Sequence, residues 1–528
     1  MKHHKLTIIL ICIIPSILFF VGIEIVFRLI FEPNRLIYHF DSHSNNYYWL
    51  KTDNIPRVVN KHTQTDFLIQ ARKCVDEIKG NADNTFKIVI LGASSAIGYP
   101  YDPCLAFSNF LRILLSHSFP KKRFVILNMA VFAQTYRFAL KAAFDSMLLK
   151  PDMIIVYAGH NERYAHNLIQ VHHQLKRSKI KHAIETVSSF IEQYSVAYQW
   201  VLDQKDIYSP KKEIQIPEGF NPNNHLDLVC SHYINTTEQI IKSAKNNNVR
   251  LFFSTLLRNL KDYPPHYYEG TIDDSFPPLS IHTYNTFNEY QKSEPANIYR
   301  LARWYDKNNN ELKANQYYIK ASDYAHNVGR IHSRLQNFIR KIHITYPYAN
   351  CVDTEKYIQK RKSITTIGKN EIIDWVHPRV ETNYEIALSL FSEIRKVFNK
   401  NVRNNLEKRN NVLDFNAALK LTHTEYEKLQ ANGLVEGGFV NLQTSGCYAA
   451  KQLFLEGLQK KPHEEIKVKS LIGLSIIALK TNNKNYFSNI IEQLKQFSKE
   501  SLINNLFDYR FYDQVNKIYS LLDITQEY

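Results

Sequence analysis

Two short polar segments of the sequence contain the side chains needed for nucleophilic attack on an acyl group. Ser94 and Ser95 follow Gly92 at the end of an apolar run, where a serine hydroxyl could be exposed as a nucleophile. Asp374 precedes His377 by three residues, so its carboxylate can accept a hydrogen bond from the imidazole and leave the second ring nitrogen to take a serine proton. Each segment alone is a weak signal, because a helix-capping serine or a polar surface turn has the same appearance.

A third segment could stabilise the negative charge that such an attack creates. Asn161 lies in the sequence GHNE, which begins at Gly159 directly after another apolar run. An amide donor at the end of a strand can stabilise an oxyanion by about 3–4 kcal/mol. A turn-forming asparagine is the alternative. The segment NMAVFAQT, residues 128–135, follows a further apolar run and carries no signal of its own.

The apolar runs before these segments alternate with amphipathic stretches, which predicts strands alternating with helices. Such an alternation indicates a parallel sheet covered by helices on both faces, with its site at the carboxyl ends of the strands. The predicted strands are 86–91, 124–128, 153–157, 250–254 and 348–352, and the predicted helices are 105–115, 136–149, 165–205, 232–245 and 384–398.

Taken together and in this order, the segments resemble the sequence blocks of the SGNH (GDSL-like) hydrolases. The stretches SSAIGYPY, VYAGHNE, RNLKDYPP and DWVHP are similar to a bacterial subgroup that has an N-terminal anchor and a tetratricopeptide-like insertion before the Asp-x-x-His block. The similarity covers roughly residues 80–400. It implies a three-layer α/β/α, flavodoxin-like fold around a parallel sheet, and it implies neither a metal nor a cofactor.

The resemblance also assigns roles to individual residues. Ser94 would be the nucleophile, His377 the general base and Asp374 the group that orients it. Ser95 stays open as an alternative nucleophile, because the sequence does not fix which serine points outward. Further pocket residues, for each of which a structural role is an equal alternative, would be Ser95, His160, Glu162 and Asn259.

The oxyanion hole implied by the resemblance consists of the backbone N–H groups of Ser94 and Ala133 and the side chain of Asn161. Two positions depart from the family pattern. Ala93 stands where an acidic residue is usual, and Ala133 stands where glycine is usual. A backbone N–H is present at both, so the chemistry is retained in principle, but the Cβ of Ala133 could narrow the pocket or tilt the donor.

The first 35 residues are expected to be a transmembrane signal anchor. The basic start MKHHK precedes eighteen uncharged residues from Leu6 to Ile23, close to the ~20 that cross a hydrocarbon core. No small-residue cleavage site follows, although a cleaved signal peptide is the alternative. Because the basic end stays in the cytoplasm, we expect a single-pass inner-membrane protein with its catalytic part on the periplasmic, or extracytoplasmic, side.

The remaining chain divides into a lead-in at 36–80, a hydrolase domain at 81–400 and a C-terminal helical domain at 401–528. Within the hydrolase domain, residues 286–328 are an expected insertion. Its segment Ala296–Ala325 predicts two amphipathic helices with the Ala and Tyr spacing of one tetratricopeptide unit. One such unit cannot bury its own apolar face, so it must pack on the core or on a protein partner.

The composition limits the partners. The net charge of +16 is spread along the chain without a run of five or six Lys or Arg or a nucleic-acid-binding motif, so no nucleic-acid partner is expected. A basic solvated surface is the simplest interpretation, and attraction to anionic lipid or polysaccharide is the alternative. The six cysteines show no C-x-x-C spacing, which disfavours a metal site and excludes a dense disulfide framework but leaves one or two disulfides open.

Three functions remain open on these residues. The favoured one is hydrolysis of an O-acyl ester, in particular an acetyl ester, of an envelope glycan or a lipid. The second is O-acyl transfer to a cell-envelope polysaccharide by the same residues, which differs only in the acceptor and in the exclusion of water. The third is a catalytically silent scaffold, which Ala93 and Ala133 support and the intact Ser, Asn, Asp and His set opposes.

Overall fold

The structure, a computed structural model, falls into two compact units. One consists of Met1–Phe40, Tyr47–Ala82 and Ala165–Phe220, and the other of Asp41–Asn46, Asp83–Tyr164 and Asn221–Tyr528. The residues that the structure describes are 19–33, 38–41, 46–49, 58–60, 84–164, 197, 201, 225–265, 272–325, 329–398, 419–444, 446–460, 462–505 and 511–522.

The N-terminal part contains a helix at 19–30 and four short strands, β1 (Phe31–Pro33), β2 (Tyr38–Asp41), β3 (Asn46–Trp49) and β4 (Val58–Asn60). Strands β1 and β4 pair antiparallel. Among the described helices, none combines the length and the apolar character needed to span a bilayer. Most of the predicted anchor, residues 1–18, lies outside the described residues, as does nearly all of the predicted helical stretch 165–205.

Five parallel strands form the centre of the second unit, in the order β6-β5-β7-β8-β9. This is the 2-1-3-4-5 order of flavodoxin-like sheets, so the predicted parallel α/β fold is confirmed. The chain passes from β5 to β6 on one side and then crosses from β6 to β7 on the other side of β5, which creates a crevice at the carboxyl end of β5. The strands are β5 (Thr85–Gly92), β6 (Arg123–Asn128), β7 (Met153–Tyr157), β8 (Arg250–Ser254) and β9 (Ala349–Val352).

Helices cover this sheet in two sets. Phe107–Ser118 packs against Val380–Phe398, whereas Tyr136–Ser146 packs against Leu226–Asn246. The right-handed crossover from β5 to β6 runs in one direction along the sheet and the next, from β6 to β7, runs in the other, which places the two sets on opposite faces. Further helices of the unit are Ser94–Ile97, Ile272–Ser275, Ile281–Asn285, Glu289–Ser293, Pro295–Lys307, Glu311–Tyr324, Ser333–Thr345, Thr354–Lys362, His423–Thr444, Cys447–Gln459, Glu464–Lys480, Lys484–Leu494, Lys499–Asn505 and Tyr512–Leu521.

Several predicted helix limits were wrong by a few residues. The helix expected from Leu105 begins at Phe107, because Pro103–Leu105 forms a separate 3₁₀ turn. The helix expected over 136–149 ends at Ser146 and continues as a 3₁₀ turn, Met147–Leu149. The last helix of the sheet layer begins at Val380, four residues earlier than expected.

Two helical additions have apolar cores of their own. The hairpin Pro295–Lys307 and Glu311–Tyr324 coincides with the predicted pair of helices, and its core includes Ile298, Leu301 and Tyr318. The C-terminal helices enclose a larger core around Phe454. The tetratricopeptide character of the hairpin remains a prediction.

The described cysteines form no disulfide with one another. These cysteines are Cys104, Cys230, Cys351 and Cys447, while Cys12 and Cys74 lie outside the described residues.

Candidate active site

Ser94 occupies the first residue of the short helix Ser94–Ile97, which follows β5 after Gly92 and Ala93. Glycine is required at position 92 by the packing around this turn. A Cβ there would lie 2.4 Å from the Cβ of Ala96 and 2.6 Å from the carbonyl oxygen of Tyr157. The turn therefore brings Ser94 to the carboxyl end of the central strand, where the crevice is expected.

Ser94, His377 and Asp374 form one continuous chain of hydrogen-bonded side chains. His377 Nε2 lies 2.8 Å from Ser94 Oγ, and His377 Nδ1 lies 2.5 Å from Asp374 Oδ2. The second carboxylate oxygen, Oδ1, accepts hydrogen bonds from the N–H groups of Val376 and His377 at 2.9 and 2.8 Å. All three side chains are nearly enclosed, since the exposed fractions are 8% for Ser94, 3% for His377 and 1% for Asp374.

Ser95 makes a different contact. Its hydroxyl donates a hydrogen bond to the carbonyl oxygen of Val376 at 3.2 Å. The bond connects the turn that carries Ser94 to the loop that carries His377. Of the two serines left open by the sequence, Ser94 is therefore the one that lies against the imidazole.

Asn259, predicted as a pocket residue, holds the same loop from the side of the sheet. Its side-chain amide donates to the carbonyl oxygen of Asp374 at 2.8 Å, and its backbone N–H donates to that of Trp375 at 3.0 Å. Its side-chain oxygen accepts from the N–H of Asp262 at 3.0 Å. These contacts give Asn259 a structural role in orienting the Asp374–His377 loop.

Aromatic rings enclose the imidazole of His377. The rings of Tyr99 and Trp375 lie 5.0 and 5.5 Å from it, both edge to face. Phe132 packs against Tyr99 at 5.0 Å and is 53% exposed, so it forms the outer rim of the site. The rings restrict rotation of the imidazole and lower the local polarity around it.

Asn161 and Ala133, the predicted oxyanion donors, lie on adjoining backbone segments. One N–H of the Asn161 amide donates to the carbonyl oxygen of Gln134 at 2.8 Å. Ala133 has a φ of +55°, in the left-handed region where glycine is favoured. Alanine adopts this conformation with some strain.

Ala133→Gly is therefore expected to leave the protein at least as stable as the parent, or to raise the free energy of unfolding by up to about 1 kcal/mol. Relief of left-handed strain outweighs the greater entropy of glycine in the unfolded chain. Urea unfolding of the full-length chain in detergent measures this. The matched control is Ala449→Gly in the helix Cys447–Gln459, where glycine should cost about 1 kcal/mol. Equal destabilisation by the two changes would contradict strain at Ala133.

Glu162 also contacts the segment that carries Ala133. Its Oε1 accepts a hydrogen bond from the N–H of Tyr136 at 2.6 Å. Burial raises the pKa of Glu162 to about 7, and the bond from Tyr136 opposes that rise. Together with Asn161, this side chain fixes the backbone of residues 134–136, so the predicted pocket role of Glu162 becomes a positioning contact.

The raised pKa of Glu162 predicts a pH-dependent contribution to stability. Between its ordinary value of 4.5 and about 7, the folded protein holds a proton that the unfolded chain lacks. This contribution is complete below pH 4.5 and is lost as the pH rises through about 7, on the order of 3 kcal/mol in all. Glu162→Gln keeps the acceptor for Tyr136 and cannot ionise, so its urea midpoint should decline less between pH 5 and about 7.5 than that of the parent. Identical declines would show that Glu162 does not titrate in this range.

His160 is buried beside these groups. Its Nδ1 accepts a hydrogen bond from the N–H of Ile331 at 3.3 Å, so the neutral ring carries its proton on Nε2. Burial lowers the pKa of His160 well below its ordinary value, and the guanidinium groups of Arg258 and Arg330 lower it further. Within the described residues, Nε2 has no hydrogen-bond partner.

Arg163, which follows Glu162 directly, was not predicted as a site residue. Its guanidinium donates to the carbonyl oxygens of Ser322, Asp323 and Ala325 at 3.0, 2.8 and 2.6 Å. It thereby caps the end of the helix Glu311–Tyr324 and joins the helical hairpin to the Asn161 segment. Its position next to the GHNE sequence was the available signal, but sequence does not distinguish a buried arginine from a solvated one.

No cluster of three or more His, Cys, Asp or Glu side chains suited to a metal ion occurs in the part of the chain that the structure describes.

No protein-family model and no curated protein matches the chain. Solved structures similar to it include esterases and lipases. A lipolytic protein of the G-D-S-L family from Desulfitobacterium hafniense is 9% identical, over 58% of this chain and 97% of that chain, with a TM-score of 0.26. A variant of the acetyl-xylooligosaccharide esterase of Geobacillus stearothermophilus is 15% identical, over 61% and 97%, with a TM-score of 0.27.

A two-domain esterase active on acetylated mannans is 12% identical, over 63% of this chain and 54% of that chain, with a TM-score of 0.30. A likeness of this extent assigns neither a reaction nor a substrate to the chain. The function proposed below therefore rests on the geometry of the site.

Proposed function

We propose that this chain is a serine hydrolase that cleaves an O-acyl ester through an acyl-enzyme. The observation that supports it is the chain of contacts from Ser94 Oγ to His377 Nε2 at 2.8 Å and from His377 Nδ1 to Asp374 Oδ2 at 2.5 Å. In this arrangement a carboxylate fixes the tautomer of an imidazole whose other nitrogen can accept the serine proton. The triad is assembled at the carboxyl edge of a parallel sheet, where α/β folds bind ligands.

The proposed reaction has two halves. Ser94 Oγ attacks the acyl carbonyl carbon while His377 takes the hydroxyl proton, and collapse of the tetrahedral intermediate breaks the ester bond. The alcohol leaves with the proton that His377 returns to it. A water molecule then attacks the acyl-enzyme, His377 takes one of its protons, and the acid departs as Ser94 regains its proton.

The oxyanion of each intermediate would be bound by the N–H groups of Ser94 and Ala133 and by the amide of Asn161. The contacts of Asn161 with Gln134 and of Glu162 with Tyr136 support this assignment, because they fix the backbone segment next to Ala133. Donors held in place before the reaction stabilise the developing charge without reorganisation.

The proposed substrate is an O-acyl, in particular O-acetyl, ester of an envelope glycan or a lipid. The uncharged run Leu6–Ile23 after MKHHK supports a single-pass inner-membrane anchor with the catalytic unit on the extracytoplasmic side. The net charge of +16 would favour anionic surfaces or polymers there.

The first test combines a chromogenic ester with a covalent probe on the full-length chain in detergent. We expect release of p-nitrophenol from p-nitrophenyl acetate, and a fluorophosphonate adduct that peptide mapping places on Ser94. A preference for acetyl over longer acyl chains would favour a deacetylase over a lipase. Without adduct or release, the chain would be a silent scaffold, and an adduct with acyl transfer to an added sugar hydroxyl instead of release of free acid would identify a transferase.

A further inference from the structure

The helix His423–Thr444 is buried on two sides. One side, which includes Ala431, Val435 and Phe439, belongs to the apolar core of the C-terminal helices. Gly433, Gly437 and Asn441 recur at intervals of four residues, which places them on one stripe of the helix. This stripe is also buried, so it must pack against a second part of the fold.

The two glycines pack against segments next to the triad. A Cβ on Gly433 would lie 2.1–2.8 Å from ring atoms of Tyr101, and a Cβ on Gly437 would lie 2.7 Å from Ile373 Cδ1 and 3.4 Å from Pro100 Cγ. Tyr101 follows the nucleophile helix closely, and Ile373 directly precedes Asp374. The absence of a Cβ at Gly433 and Gly437 lets one helix approach both segments.

Asn441 adds a polar contact to the second segment. Its amide donates to the carbonyl oxygen of Ile373 at 3.3 Å and to that of Gly437 at 2.8 Å. The N–H of Ile373 in turn donates to the carbonyl oxygen of His377 at 2.9 Å. Asn441 is therefore connected to the backbone of the general base through a single residue.

The next helix of the C-terminal part holds the same loop at its other end. Arg379 makes a bidentate ion pair with Glu456, with nitrogen–oxygen distances of 2.9 and 3.2 Å. The loop from Ile373 to Arg379 thus has partners in the C-terminal helices at both ends. Its middle accepts hydrogen bonds from Ser95 and Asn259.

We infer that the helix His423–Thr444 is a positioning element of the hydrolase site, and that Gly433, Gly437 and Asn441 fix the separation between Ser94 and His377. The inference rests on the proposed function of that pair. Ser94 and His377 are 283 residues apart in sequence, and this one helix packs against the flanking segments of both. Because a displacement of about 1 Å at a reacting pair can cost about 100-fold in rate, this contact bears directly on catalysis.

Two glycines of the same helix, five residues apart, supply a matched pair of variants. Gly433→Ala would press on the ring of Tyr101, beside the site, whereas Gly438→Ala would press on the ring of Phe454 in the C-terminal core, at 2.7–2.9 Å. Asn441→Ala removes the amide contact with Ile373 without adding bulk, and it keeps the test valid if Gly433→Ala fails to fold. Fluorophosphonate titration of the full-length variants counts active serines, so kcat is expressed per folded site.

We expect Gly433→Ala and Asn441→Ala to lower this kcat by about 10-fold or more, with KM changed by less than about two-fold. Gly438→Ala should lower the urea midpoint and leave kcat per active serine within about two-fold of the parent. An equal loss of kcat in Gly438→Ala, or full kcat in folded Asn441→Ala and Gly433→Ala, would overturn the inference.

A second measurement distinguishes failure of the proposed function from failure of this inference. If the parent chain hydrolyses no ester, the low-field proton resonance of the His377–Asp374 hydrogen bond becomes the readout. Its loss in Asn441→Ala and Gly433→Ala with retention in Gly438→Ala would support positioning by the helix. The same resonance in all three folded variants would overturn it.

Discussion

Ser94→Ala should reduce kcat for ester hydrolysis by about 10⁴-fold or more, whereas Ser95→Ala should keep kcat within about 10-fold of the parent. The two serines are adjacent and both nearly buried, but only Ser94 Oγ lies 2.8 Å from His377 Nε2. Without that hydroxyl there is no nucleophile whose proton His377 can take. The remaining rate would come from binding and the oxyanion donors alone.

Ser95→Ala is the matched control because it removes the same atom one residue away. It deletes the bond to the carbonyl oxygen of Val376, so a small loss from loosening of the loop is expected. Initial rates with p-nitrophenyl acetate, corrected for folded protein, distinguish the two variants. Equal losses in both, or a larger loss in Ser95→Ala, would show that the nucleophile has been assigned to the wrong serine.

The sheet was predictable because buried parallel strands leave a plain signal in sequence. The runs MIIVY and RLFFS gave the limits of β7 and β8, Met153–Tyr157 and Arg250–Ser254, as the structure has them. Helix limits were less certain. Pro103 begins a 3₁₀ turn before the α-helix Phe107–Ser118. The local sequence pattern did not reveal where the 3₁₀ turn ends and the α-helix begins.

The site was predictable in its residue types but less so in its contacts. The three-residue spacing was enough to predict the Asp374–His377 pair, because the contact between these two side chains depends only on local backbone geometry. The choice between Ser94 and Ser95 depends on side-chain direction relative to a loop 283 residues away. The role of Asn259 likewise depends on a contact across the fold, so sequence offered it only as a pocket residue.

The contacts of the helical additions were also not predictable from the sequence. Their helices follow from periodicity, but what they pack against does not. Gly433 and Gly437 are poor helix formers, so the sequence alone gives no reason for them within a helix. The close approach of Tyr101 and Ile373, which leaves no room for a Cβ, explains why glycine occupies both positions. The prediction of a separate C-terminal domain at 401–528 therefore gave no indication that its first long helix touches the loops of the triad.

Asp374→Asn should lower kcat by about 10⁴-fold while leaving the fold intact. The substitution changes which nitrogen of His377 carries the proton, but it leaves the shape of the side chain at position 374 almost unchanged. The carboxylate uses both oxygens: Oδ1 accepts from the N–H groups of Val376 and His377, and Oδ2 accepts from His377 Nδ1. In the asparagine variant, the one remaining side-chain oxygen continues to accept the hydrogen bonds from these two backbone N–H groups. The amide N–H₂ then faces Nδ1, which must become an acceptor, and the ring proton moves to Nε2.

A ring protonated on Nε2 can donate to Ser94 but cannot take its proton, so both the rate of phosphonate labelling and kcat should fall together. Asp353→Asn is the control. It removes the ion pair of Asp353 with Arg340 while keeping an N-cap on the helix Thr354–Lys362, so it should affect stability alone. Urea unfolding and labelling rates on the full-length chain measure both effects. Full activity in Asp374→Asn would mean that Asp374 acts only through Oδ1, as an anchor for its own loop, and that His377 does not depend on it for its tautomer.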